Sequence, residues 1–204
     1  MRKIKLILIG ALYYLSCNAP ILDEYHLNIS NNNFKYINEQ KRIYEEKEEF
    51  NSFLNHLAVR ESSSNWKIYN RWGYIGLYQI GRAARNDVGY GHIHFKDFIN
   101  NPYIFPVENQ KDAVIKLMNI NLERMKPYST KYYLLLLSIE GQEINNVKVT
   151  LSGIIAGAHL AGPRNVVRYI KSNGQFDPMD ALGTRLSDYV KEFSGYKFNE
   201  IYYE

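Results

Sequence analysis

The sequence predicts a mainly α domain, and three observations carry that expectation. Phe50, Phe53, Leu54, Leu57 and Ala58 recur at the i, i+3, i+4, i+7, i+8 spacing of one helix face, and Ala113, Val114, Leu117, Met118, Leu122 and Met125 form a second stripe. Residues 132–139, Y-Y-L-L-L-L-S-I, are a continuous apolar run too short to cross a bilayer, and their leucine content favours a buried helix over a strand. Elsewhere only residues 141–149 alternate, and weakly, as a turn or a short extended piece would. Six or seven helices then leave little room for sheet.

The first elements stand outside that domain. Residues 1–17 open on M-R-K-I-K, pass through an apolar stretch at 6–15 and end on Ser16 and Cys17. A basic start, a ten-residue apolar core and a small residue before a cleavage point mark a secretory signal, whereas a membrane-spanning helix needs about 20 residues. Export is expected. Cys17 is the only cysteine, so no intramolecular disulfide can form. Its place after the apolar run resembles the bacterial lipobox, where the cysteine is lipidated, although Tyr14 stands where that pattern has leucine and Leu15 where it has a small residue. A lipoprotein held at the membrane through Cys17 is the first expectation, a plain cleaved signal the second and an uncleaved anchor the third.

Losing that segment changes the charge argument. The formal net charge of +4 includes Arg2, Lys3 and Lys5, and without them 22 basic and 21 acidic side chains leave a net of +1. Nothing in that balance calls for a nucleic-acid partner. Residues 18–42 are polar and asparagine-rich and read as a tether, which a membrane-attached domain needs to reach a polymer. Residues 43–204 fit one domain, large enough to bury about two-thirds of its unfolded surface without disulfides.

The domain opens with Glu45, Glu46, Lys47, Glu48 and Glu49, read as the solvated start of a helix whose dipole favours acids there. The apolar stripe of that helix reaches Ala58, and the next position on it is Glu61. A carboxylate thus points where core is expected. Burial disfavours the charged form, so such a residue is equipped to hold a proton as a general acid does. A glutamate ending an amphipathic helix is ordinarily just solvated or capped, but the neighbours of Glu61 point elsewhere. Ser62, Ser63, Ser64 and Asn65 stop the helix and offer hydroxyls and an amide. Trp66, Tyr69, Trp72, Tyr74 and Tyr78 then alternate with Gly73, Gly76 and Gly81, supplying flat aromatic faces on a chain able to turn tightly. An acid beside an aromatic cleft points to carbohydrate.

The remaining elements read as scaffold. Residues 82–90 form a short helix ending at Gly89, and His92 and His94 sit in a loop with no acid or cysteine spaced to complete a metal site, so none is expected. Pro102 and Pro106 bracket another loop, and the helix at 107–125 comes next. Thr150 is placed to cap a helix over 151–160, whose small residues let a neighbouring helix approach closely. His159 near its end is either a hydrogen-bonded core histidine or a substrate contact. Val166, Val167 and Ile170 begin the next helix, and a last amphipathic segment spans 182–193.

Four segments, in order, resemble the motifs of the lysozyme-like lytic transglycosylases and goose-type lysozymes. They are E-S-S-x-x-W at Glu61, G-Y-I-G-L-Y-Q-I from Gly73 to Ile80, A-H-L-A-G-P-R-N-V from Ala158 to Val166, and Thr184, Arg185, Tyr189 and Val190. The third departs from the family's A-Y-N-A-G-P pattern, with His159 for its tyrosine and Leu160 for its asparagine, so sugar contacts there do not carry over unchanged. The resemblance implies a lysozyme-like helical domain with a substrate cleft, placed in the cell envelope facing the periplasm and acting on peptidoglycan strands without a cofactor. It implies Glu61 as the catalytic acid, with Ser62, Tyr74, Gly76, Tyr78, Gln79, His159 and Tyr189 as substrate-binding residues.

Two mechanisms compete for that site. A two-carboxylate hydrolase needs a second acid, and the candidates Asp87, Asp97 and Asp188 each read as ordinary solvated acids. With Glu61 alone, the N-acetyl group of the muramic sugar stabilises the developing cation and that sugar's own 6-hydroxyl attacks, as the resemblance to lytic transglycosylases implies. A goose-type hydrolase is the nearest alternative, and a catalytically inactive glycan-binding envelope lipoprotein is the alternative from another class.

Overall fold

The computed structural model describes residues 23–126, 141–198 and 201. The segment expected as a signal, with Cys17, and the apolar run expected as a helix at 132–139 lie outside them. The chain divides into two compact units, up to Tyr44 and from Glu45, and helix α1 (Asp23–Ser62) contributes to both. The helix begins at Asp23, far ahead of the expected start near Glu45. No glycine or proline interrupts it, and Glu, Lys, Gln and Arg favour helix without any apolar periodicity. The stretch expected as a tether is therefore helical from Asp23 onward, and the acids Glu45 to Glu49 lie mid-helix, away from the dipole's positive end. In the first unit Phe34, Tyr36, Ile37 and Tyr44 are exposed. No helix among the described residues is long and apolar enough to cross a membrane.

In the second unit the chain continues through α2 (Arg82–Asp87), α3 (Phe95–Asn100), a 3-10 turn (Pro102–Ile104) and α4 (Val107–Met125). An antiparallel hairpin of β1 (Glu143–Ile144) and β2 (Val147–Lys148) turns through Asn145 and Asn146, both left-handed. Then come α5 (Leu151–Ala161), α6 (Pro163–Lys171) and α7 (Leu186–Glu192). Seven α-helices and one minimal hairpin among the described residues make the protein mainly α.

The stripe read from the sequence is the core of this unit. Phe53 and Leu57 are fully buried with Phe50, Leu54 and Ala58, packed against Ile75 and Ile80, Ala113, Val114 and Met118 of α4, and Phe193. Phe53 meets Phe193 edge-on at 5.5 Å, and Phe50 meets Phe198 at 5.1 Å, so the C-terminal segment closes over the start of the stripe. A second cluster joins Ile154 and Ala158 of α5 to Val166, Val167 and Tyr169 of α6 and to Leu186 and Val190 of α7.

Helix α5 lies against α7 as its small residues predict. A Cβ on Gly153 would sit 2.5 Å from the Val190 carbonyl oxygen, and one on Gly157 would sit 2.6 Å from Leu186. Thr150 caps α5, its hydroxyl accepting from the Gly153 amide at 3.1 Å. Helix α7 starts at Leu186, four residues later than expected. Gly183 at φ +89° breaks the chain, and one carboxylate oxygen of Asp180 accepts from both the Leu182 and Thr184 amides at 2.8 Å.

Candidate active site

Glu61 lies in the last turn of α1, which the serines end as expected. Ser63 and Ser64 adopt left-handed φ values of 53° and 60°, and their amides return to the Val59 and Ala58 carbonyls. Just past the buried stripe, the Glu61 side chain keeps 15 % of its surface exposed. It opens into a cavity of about 550 Å³ whose wall also holds Trp72, Tyr74, Gln79, His159 and Tyr189.

Two groups converge on one oxygen of this carboxyl. The Tyr189 hydroxyl donates to Glu61 Oε1 at 2.7 Å, and His159 Nε2 lies 3.7 Å from the same atom. Tyr189 is buried in the first turn of α7, and that burial, then the Glu61 charge and hydrogen bond, push its pKa far up. The phenol therefore stays protonated and acts as a fixed donor to Glu61. Arg60 lies over the Tyr189 ring at 5.2 Å and bonds Glu192 at 3.2 Å, which ties the end of α1 to α7.

His159 is 6 % exposed, and its Nε2 is 2.9 Å from the Tyr78 carbonyl oxygen. A carbonyl only accepts, so Nε2 carries the proton and donates. Nδ1 is buried and has no partner among the described residues. His159 is thus the hydrogen-bonded histidine of the two readings offered by the sequence, and the same ring lines the cavity.

The aromatic segment owes its shape to polar side chains rather than to regular structure. Asn70 accepts from the Trp72 and Tyr74 amides and donates to Gln79 Oε1 at 3.1 Å, while Gln79 Nε2 donates to the Gly76 carbonyl at 2.9 Å. Gln79 itself has a left-handed φ of 46°. Its side chain is held from both ends, leaving one N–H and one lone pair to offer a ligand. Beneath the loop, fully buried Gln110 of α4 accepts from the Leu77 amide and donates to the Trp66 and Phe105 carbonyls. Buried Arg85 of α2 donates to the carbonyls of Ile80 and Ile93, and burial followed by the charge of Arg82 lowers its pKa. With its carbonyls engaged inside, the loop turns Trp72 and Tyr74 outward, each nearly half exposed.

Four residues predicted at the site line the cavity together with Glu61: Tyr74, Gln79, His159 and Tyr189. Three do not. Ser62 is buried and its hydroxyl donates to the Ala58 carbonyl at 2.9 Å, so it closes the helix end. Tyr78 is buried in the core and reaches the site only through its carbonyl, the acceptor for His159. Gly76 faces the scaffold: at φ +78° it leaves room for Gln110, whose Oε1 would lie 2.3 Å from any Cβ there. Of the three second-acid candidates, Asp188 accepts from the Arg185 amide at 2.9 Å and caps α7, Asp87 pairs with Arg124 at 2.7 Å, and Asp97 sits in the first turn of α3. None lines the Glu61 cavity, but Asp180 does, with Leu182 and Thr184 beside it.

Asp180, Asn70, Arg85 and Gln110 are the functional and supporting residues the sequence reading lacked. Asn70 had a signal, since an asparagine three residues before a glycine is turn chemistry. No group of histidines, cysteines and acids among the described residues is arranged to hold a metal ion. No family model, curated protein or solved structure matches this chain.

Proposed function

We propose that this chain is a peptidoglycan lytic transglycosylase, cleaving the β-1,4 bond between N-acetylmuramic acid and N-acetylglucosamine with Glu61 as its single acid and base. The observation that carries the reading is the Glu61 carboxyl, mostly buried on a cavity wall with a permanent phenol donor on one oxygen and the faces of Trp72 and Tyr74 on the same wall. Donation by Tyr189 to Oε1 leaves Oε2 to present its proton to the glycosidic oxygen. As that bond breaks, the N-acetyl group of the muramic sugar stabilises the cation. The carboxylate then takes the proton of the same sugar's 6-hydroxyl as that oxygen closes on the anomeric carbon. No water is consumed, and Glu61 ends protonated as it began. Gln79 and Tyr74 orient the sugar, and the lysozyme-like resemblance supports the same assignment.

Mass spectrometry of fragments released from purified peptidoglycan tests this. Products ending in 1,6-anhydromuramic acid, lighter by one water than hydrolysis products, are expected, and predominant reducing ends would overturn it. A glycan-binding protein without activity would clear no zone in a zymogram. One observation favours the hydrolase reading, because Asp180 puts a second carboxylate on the wall of the Glu61 cavity. One of its oxygens already accepts two amides, which suits a turn-forming acid better than a water-activating base.

The envelope location belongs to the same proposal. Lipidation of Cys17 would hold the domain at a membrane facing its polymer, and fractionation of wild type against Cys17→Ala tests it. Release of the variant alone into the soluble fraction is expected. Wild type already soluble after export would leave a plain cleaved signal.

A further inference from the structure

A second cavity of about 350 Å³ adjoins the first and shares Trp72, Tyr74, Gln79 and His159 with it. A ligand in one therefore reaches the other along a common wall. Their linings differ in charge. The second has an apolar floor of Ile80, Leu117 and Ala158 and a rim bearing Arg82, Arg124 and Asp87. Asp87 neutralises Arg124 at 2.7 Å, whereas Arg82, exposed at the start of α2, has no hydrogen bond or ion pair among the described residues. Next to it, His159 carries the buried Nδ1 that lacks a partner.

An uncommitted cation above an apolar floor is poorly matched to a neutral sugar ring, whose hydroxyls seek paired donors and acceptors. It is well matched to a carboxylate carried on an aliphatic body. We infer that this second cavity receives the carboxylate-bearing peptide branch of the glycan strand, held by Arg82, so that the protein binds peptide-substituted strands in preference to bare ones. The inference rests on the peptidoglycan reading, in which such branches hang from the sugar beside the scissile bond. Arg82 acts in binding and touches no reacting atom.

The test measures binding, independently of turnover. On a Glu61→Gln background, calorimetric titration compares a disaccharide-peptide fragment with the same disaccharide stripped of its peptide and with one whose peptide carboxylates are amidated. One charge-assisted contact predicts about tenfold tighter binding of the peptide-bearing fragment. Amidation and Arg82→Glu should each reduce that ratio to about one, and Arg82→Lys should restore part of it. Equal affinity for the stripped and peptide-bearing fragments overturns the inference alone. So does a preference that survives Arg82→Glu or amidation, because the peptide is then held elsewhere or without its charge. Binding of no fragment overturns both the inference and the reading beneath it.

Discussion

The two walls of the Glu61 cavity are built in opposite ways. The wall from Glu61 to Gly81 has almost no regular structure, yet its carbonyls and amides end on Gln110 and Arg85, both buried in the scaffold. The wall from Asp180 to Thr184 is short and largely exposed, with Leu182 77 % accessible, and it is held by its own aspartate. An irregular segment is thus not necessarily a loosely held one. Local stability depends on where the backbone hydrogen bonds end. The acid and its aromatic faces sit on the wall tied to the core, as a preorganised site requires.

The largest effect expected on this contrast comes from the acid. Glu61→Gln keeps shape and the hydrogen bond from Tyr189 but cannot supply a proton, so turnover of peptidoglycan should fall by at least ~10²–10⁴-fold with fragment binding nearly intact. Wild-type turnover in that variant would remove Glu61 from the chemistry. Next comes the scaffold under the same wall. Gln110→Leu strands the Leu77 amide and two carbonyls in the interior, for which about 3 kcal/mol or more of stability should be lost in denaturant unfolding. A loss below about 1 kcal/mol would mean that this wall is no better anchored than the other.

Tyr189→Phe probes the acid itself. It removes one hydrogen bond to a carboxyl, on the order of 1.5–3 kcal/mol where fully expressed, so kcat should drop roughly 10- to 100-fold with a smaller change in KM. An unchanged kcat would show that the phenol only packs. The tyrosines also set an alkaline limit. Burial, then the hydrogen bond to Asp112, raises Tyr90 to about 12, and burial raises Tyr169, Tyr189 and Tyr196 as well. An unfolded tyrosine ionises near ~10, so the stability these groups contribute is complete below that pH. Unfolding measured against pH should show it falling as pH rises from about 10 toward 12, and Tyr90→Phe should blunt that fall.

The same physics decides which features were legible in the sequence. Apolar periodicity located the core faces of α1 and α4 and put Glu61 on the first stripe, because burial writes a period into the chain, while the Thr150 cap and a run of small residues located α5. Exposed helix writes no such period, which is why residues 18–42 read as tether although the chain is helical from Asp23. Nothing local marked Gln110, whose partners Trp66 and Leu77 lie far away in the chain, or Arg85, whose acceptors are backbone carbonyls that carry no residue signature. Ser62, Gly76 and Tyr78 sat inside motifs that resemble a substrate site, but a motif fixes chain position and leaves open which side of the backbone each residue serves. Asp180, three residues before Gly183, carries the same turn signal as Asn70, but nothing local tells that its turn borders a cavity.

The smallest expected effect falls on the second wall and decides between the two mechanisms. Asp180→Asn keeps an oxygen that can accept from the Leu182 and Thr184 amides, so the turn should survive with stability changed by less than about 0.5 kcal/mol. What the variant loses is charge and basicity. If Glu61 alone handles protons, that loss touches no step, and turnover should stay within about fivefold of wild type with anhydromuramic products unchanged. If Asp180 activated water, the same substitution would remove a general base and cost ~10²-fold or more, with reducing-end products dominant in the wild type. Asp180→Ala separates turn from charge, because it also strands the two amides and should lower stability by about 1–2 kcal/mol under either mechanism. A large loss of turnover in Asp180→Asn with unfolding unchanged would therefore move the chemistry onto both walls and replace the transglycosylase by a hydrolase.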